Sequence, residues 1–95
     1  MAATASMRRD GDALVFSGAL TRDAVPALWG EASRVLNGVQ RFELAAVEQL
    51  DSAGLALLAA LAERSGGVAV NGDPRGLPEL RRAYRLSPAL SFASA

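Results

Sequence analysis

The sequence predicts an α/β domain: one four-stranded mixed sheet with helices packed mainly on one face. Three observations predict it. Short apolar runs alternate with longer stretches of helical spacing, in the order β-β-α-β-α-β-α. Turn-forming pairs stand between them, among them Asp10-Gly11, Asn37-Gly38, Gly66-Gly67 and Asn71-Gly72. The chain has 95 residues and neither an internal repeat nor a linker, which suits one domain over 1–95 with its core in about 7–90.

The elements follow in order. Residues 1–6 are small and are expected to fray. Met7–Arg9 reads as a short edge strand, turned at Gly11-Asp12 into Ala13–Ser17 (A-L-V-F-S), a strand of apolar and β-branched residues closed by Gly18. A helix follows with Asp23 as N-cap and Pro26 at the third helical position, where a missing N–H matters little. Val25, Leu28, Ala32, Val35 and Leu36 share one face of it, Trp29 lies at the edge of that stripe, and Asn37-Gly38 stops it.

Arg41–Ala45 (R-F-E-L-A) alternates, placing Phe42 and Leu44 on one side of a third strand. Val47 and Leu50 anchor a connection to Asp51-Ser52, and a second helix runs from about Ala53 to Arg64, ended by Gly66-Gly67. Val68–Asn71 is a short buried-type strand. Asn71-Gly72-Asp73-Pro74 is a turn. A third helix opens near Pro78, with Leu80, Ala83 and Tyr84 on one face and Arg81, Arg82 and Arg85 away from it. A last turn is expected around Pro88.

Composition narrows the chemistry. The chain has no Cys, no His and, all ten of its cations being Arg, no Lys. A disulfide framework, a thiolate nucleophile and cysteine-held metal are therefore excluded. So are an imidazole base and a Schiff-base lysine. The acids Glu48 and Asp51 have no His or Lys to relay a proton, and no metal-ligand spacing occurs; the expectation is no enzyme, no cofactor and no metal. Net charge is zero, so a nucleic-acid partner is not expected, and Arg75, Arg81, Arg82 and Arg85 read as a solvated helix face or as the counterpart of an acidic rim on a partner. The longest uncharged mid-chain stretch, Ser52–Ala62, has eleven residues, against the ~20 apolar ones that span a bilayer. The expected setting is cytoplasmic.

The second helix departs from the amphipathic pattern. Its run A-G-L-A-L-L-A-A-L-A is apolar all round: Leu55, Leu58, Ala59 and Ala62 make one stripe, Leu57 and Leu61 another. Either neighbouring helices cover both stripes, or Leu57 and Leu61 mark a surface that a second protein covers. Its start carries a second signal. Asp51-Ser52-Ala53-Gly54 sets a carboxylate and a hydroxyl beside free backbone N–H groups. That is an ordinary N-cap, or an exposed Ser52 at a positive helix end that welcomes a phosphate or a partner's polar group.

The segment Phe42–Leu55 (F-E-L-A-A-V-E-Q-L-D-S-A-G-L) resembles the signature of STAS domains, the sulfate-transporter and anti-sigma-factor-antagonist family, in which Asp-Ser/Thr-x-Gly-Leu opens a helix. Gly11–Leu20 (G-D-A-L-V-F-S-G-A-L) is similar to the family's second strand and turn, so the resemblance covers about residues 7–90. It implies a STAS fold. Together with Pro26-Ala27-Leu28-Trp29, these blocks look most like the small STAS subunit of an ABC transporter that moves phospholipids and maintains outer-membrane lipid asymmetry. The resemblance implies a non-catalytic, cytoplasmic protein held peripherally at the inner membrane. It would bind the ATPase subunit, in a complex with permease and lipid-binding subunits, and support its assembly and activity.

The implied contact residues are Ser52, Asp51, Ala53 and Gly54, with Leu57, Leu61 and Trp29 reaching outward while Leu55 and Leu58 hold the core. Ser52 stands where the family often has Thr, and Ala53 where it often has Ser or Gly. The alternative within the family is an anti-sigma-factor antagonist, switched when a partner kinase phosphorylates Ser52. Ala53 in place of the usual second hydroxyl, and Trp29, speak against it.

Overall fold

A computed structural model describes residues 4–86. It has four strands, β1 Ser6–Asp10, β2 Ala13–Leu20, β3 Arg41–Leu50 and β4 Ala69–Asn71, and three α-helices, α1 Val25–Arg34, α2 Ser52–Arg64 and α3 Leu77–Ala83. The sheet order is β1-β2-β3-β4. β1 pairs antiparallel with β2, and the β2–β3 and β3–β4 pairs are parallel, so the sheet is mixed as expected. The β1–β2 hairpin turns on Gly11-Asp12, with φ +62° at Gly11 alone, the arrangement of a type II′ turn.

The core lies between the sheet and the helices. Leu14, Phe16, Phe42 and Leu44 come from β2 and β3, and the two phenyl rings meet edge to face at 5.6 Å. Leu28 and Ala32 come from α1, Leu77 from α3, and Leu55, Leu58 and Leu61 from α2, all buried. The opposite sheet face is polar. Ser6 and Ser17 share a hydrogen bond there, and Arg41 pairs with both Asp12 and Glu43. Helices on one face and charges on the other follow from the two-residue alternation of the strands.

Several boundaries differ from the sequence expectation. β2 runs on to Leu20 and β3 to Leu50, carried past Ser17 and Ala45 by register shifts at Val15/Ser17 and Gly18/Ala19 that alternation cannot reveal. Thr4–Ser6 do not fray: Ser6 pairs with Ser17, and Thr4 and Ala5 lie so close over Gly18 that a side chain there would overlap the Thr4 backbone. Asp23 is no N-cap. It sits in a short 3₁₀ turn, Arg22–Ala24, and Ala24 precedes α1 without a side-chain cap, so Pro26 falls at the second helical position. Pro78 is likewise second, after Leu77. Val35, expected inside, is 36% exposed because α1 ends at Arg34 and the face it would have shared stops there. Ala83 and Tyr84 are exposed too, since α3 lasts only seven residues. The turn expected around Pro88 lies outside the described residues.

Two side chains close helix ends. Arg9, on the helix side of β1, donates to the carbonyls of Val35, the C-cap of α1, and Asn37 in the turn beyond it. Asp51 performs the matching service at the start of α2.

Candidate functional site

Asp51 is extended, at φ −110° and ψ −177°, and is the N-cap of α2. Its Oδ1 accepts from the Gly54 N–H at 2.8 Å. Its Oδ2 accepts from the backbone N–H of Arg22 at 3.0 Å, so one carboxylate joins α2 to the loop after β2. The Asp51 N–H in turn donates to the Leu20 carbonyl at 3.3 Å. Of the two hydroxyl and carboxylate groups that could cap this helix, the carboxylate does so. Ser52 is left as the first helical residue, exposed, with no side-chain hydrogen bond among the described residues.

Gly54 completes the third helical position by its lack of a side chain. A Cβ there would overlap the Leu20 carbonyl oxygen and stand 2.9 Å from the Leu50 Cδ1. Gly54 is buried, so its role is to let α2 press onto the end of β2, and it presents nothing to a partner.

α2 lies among α1, α3 and the sheet, and this decides its all-apolar sequence. Leu57 and Leu61, expected to reach outward, are 3% and 0% exposed. They belong to the core, because neighbouring elements cover the helix on both flanks as well as beneath. What remains open is a strip of small residues: Ser52 and Ala56 exposed, Ala53 and Ala60 half-buried, then Glu63. Trp29 does not reach outward freely either. It is half-buried against the core, and the Arg64 guanidinium lies 5.4 Å from its ring centroid. Arg64 is the last residue of α2, about 18 Å along the axis from Ser52. The structure therefore brings together Asp51, Ser52, Ala53 and Gly54, and does not bring Trp29 to them.

Beside the exposed strip lies a groove of about 330 Å³. Ser52, Ala53, Leu55, Ala56 and Ala59 form its α2 wall; Tyr84 and Leu86 face them, and Arg22 stands at the end near the cap. Arg22, Ala56, Tyr84 and Leu86 carry no motif. Tyr84 in particular reads as an inner residue by helical spacing, and only the early end of α3 turns it out. Among the described residues no group of three or more acids stands where it could hold a metal ion, and no helix is long and apolar enough to cross a membrane.

The chain thus has the order β-β-α-β-α-β-α and a glycine packed under the helix that Asp51-Ser52 opens. A family model described as "MlaB, STAS domain" matches residues 3–90. The chain belongs to the STAS-domain family. The match spans the whole described structure, so the four-stranded mixed sheet and its one-sided helices are the STAS fold as the sequence signature implied. No curated relative matches this STAS domain.

Elsewhere on the STAS domain, one polar cluster is equally well built. On the open sheet face, Glu43 Oε1 accepts from Asn71 Nδ2 and from Arg41 Nε, each at 2.9 Å. The Asn71 hydrogen bond first, and then Arg41, hold the Glu43 carboxyl below its ordinary value. This cluster ties the start of β3 to the end of β4 and lies on the other face from the groove.

Proposed function

We propose that this STAS domain is the non-catalytic, MlaB-like subunit of an ABC phospholipid transporter of the Mla type, which maintains outer-membrane lipid asymmetry. In this reading it is cytoplasmic, peripheral to the inner membrane, and binds an MlaF-like ATPase subunit beside permease and lipid-binding subunits. The MlaB description of the matching family supports the assignment. The observation that carries the docking site is the division of labour at the head of α2. Asp51 caps the helix, and Ser52 next to it is exposed on the rim of an apolar groove, its hydroxyl without a hydrogen bond among the described residues.

The contact surface is then Ser52, Ala53, Ala56 and the groove, held in shape by Asp51 and Gly54. Small side chains there let a partner approach closely, and a bulky or charged one would hold it off. The test is co-expression with an MlaF-like ATPase subunit, followed by affinity capture. Wild type should retain the ATPase and Ser52→Glu should lose it. Full retention by a folded Ser52→Glu protein would remove Ser52 from the interface.

The same exposed hydroxyl favours a second reading, an anti-sigma-factor antagonist phosphorylated at Ser52. Incubation with a cognate anti-sigma kinase and ATP would then add one phosphate at Ser52, and an unchanged mass would dispose of it.

A further inference from the structure

The groove beside α2 is apolar along its walls, and Arg22 is the charged residue that lines it. Arg22 stands at one end with no ion pair among the described residues. The opposite wall, Tyr84 and Leu86, comes from the turn that ends α3, an element that also carries Arg81, Arg82 and Arg85. The acids on these two elements are Asp23 and Glu79, two against four arginines. The chain as a whole is neutral, so its balancing acids lie elsewhere. Asp10, Asp12 and Glu43 pair with Arg8 and Arg41, away from the groove. Asp51 beside the groove has both oxygens engaged by backbone N–H groups and makes no ion pair with Arg22's guanidinium.

From this distribution we infer that the groove receives an acidic amphipathic segment of the partner. One large apolar side chain would enter between Ala56, Ala59 and Tyr84, and flanking carboxylates would meet Arg22 and the arginines of the α3 turn. The apolar bed supplies contact area once water is expelled, and the arginines select an acidic neighbour and speed encounter. The inference rests on the docking reading above and adds to it the chemistry of the partner's segment.

The experiment measures the Kd of the full chain for the purified ATPase subunit at low and at moderate salt, for wild type, Arg22→Glu/Arg85→Glu and its neutral form Arg22→Gln/Arg85→Gln. Arg8→Glu, on the open sheet face, changes net charge by as much as the neutral pair and controls for it. Two rim pairs are together worth roughly a five- to tenfold change in Kd. The double reversal should weaken binding by at least that much, the neutral pair by less, and both should flatten the salt dependence that wild type shows; Arg8→Glu should match wild type. If wild type binds and all variants bind alike at both salts, the acidic segment is refuted while docking stands. If wild type does not bind the ATPase, the docking reading itself fails. A wild-type dimer that Ala56→Glu abolishes would give the groove to a second copy and overturn the proposal.

Discussion

Gly66 and Arg85 occupy the same position of the same helix-ending motif. After α2, the Gly67 N–H donates to the Ala62 carbonyl at 3.0 Å and the Gly66 N–H to Glu63 at 3.2 Å, with Gly66 at φ +84°. After α3, the Leu86 N–H donates to Arg81 at 2.9 Å and the Arg85 N–H to Arg82 at 3.2 Å, with Arg85 at φ +56°. Both are Schellman endings, whose pivotal residue is left-handed. Glycine adopts that conformation freely, and arginine does so at a cost of about 1 kcal/mol or more.

Arg85→Gly should therefore stabilise the fold by about 0.5–1 kcal/mol, the relief of strain being partly offset by the greater freedom glycine has when unfolded. Gly66→Ala should destabilise it by about 1 kcal/mol. Urea unfolding of the two variants checks the pair. Equal stability of Arg85→Gly and wild type would mean that the turn tolerates the side chain without strain.

Gly54→Ala should cost more, about 2 kcal/mol or above, because the added methyl meets backbone rather than a yielding side chain. Either α2 lifts from the end of β2 or β2 shifts. The same measurement reads the loss, and affinity for the ATPase should fall with it, since the head of α2 moves.

Asp51→Ala removes the acceptor for both Gly54 and Arg22 N–H groups and should cost about 1–2 kcal/mol. Asp51→Asn keeps one carbonyl oxygen and should fall between Ala and wild type. Amide hydrogen exchange at Arg22 and Gly54 would accelerate in the Ala variant; unchanged protection there would mean the cap is dispensable.

Leu61→Ala and Ala56→Glu separate core from contact surface. Leu61 is fully buried, so its truncation should cost about 2–5 kcal/mol. Ala56 is exposed on the groove, so Ala56→Glu should leave unfolding within about 0.5 kcal/mol of wild type while weakening ATPase capture. Thermal melts and capture on the same preparations decide. The reverse pattern would restore Leu61 to the surface.

Glu43 predicts a pH effect on the other face. Its carboxyl is held below the ordinary value in the folded chain, chiefly by Asn71. The stability it contributes is thus present above the unfolded carboxyl's pKa and is lost as pH falls through the lower folded value. Asn71→Ala should move the Glu43 titration, followed by NMR of its side-chain carboxyl, up toward the ordinary range. No movement would leave Arg41 as its sole support.

Much of this STAS domain is determined by sequence alone, because the responsible signals are local. Alternation in Arg41–Ala45 and turn pairs such as Gly66-Gly67 need only neighbouring residues to act. The same holds for the Asp51-Ser52-Ala53-Gly54 signature, which placed the head of α2 correctly to one residue. Tertiary structure decided what local rules leave open. An all-apolar helix shows no preferred outward side, and only its position between α1 and α3 put Leu57 and Leu61 inside and Ala56 outside. Trp29 went to the far end of α2 for the same reason, since its neighbour Arg64 is thirteen residues along one helix from Ser52, counting both ends. Asp51 is about thirty residues from Leu20 and Arg22, and its hydrogen bonds to them exist only because the end of β2 meets the head of α2. The groove with Tyr84 and Leu86 arises in the same way, from α2 and the turn after α3, whose separate sequences carry no trace of each other.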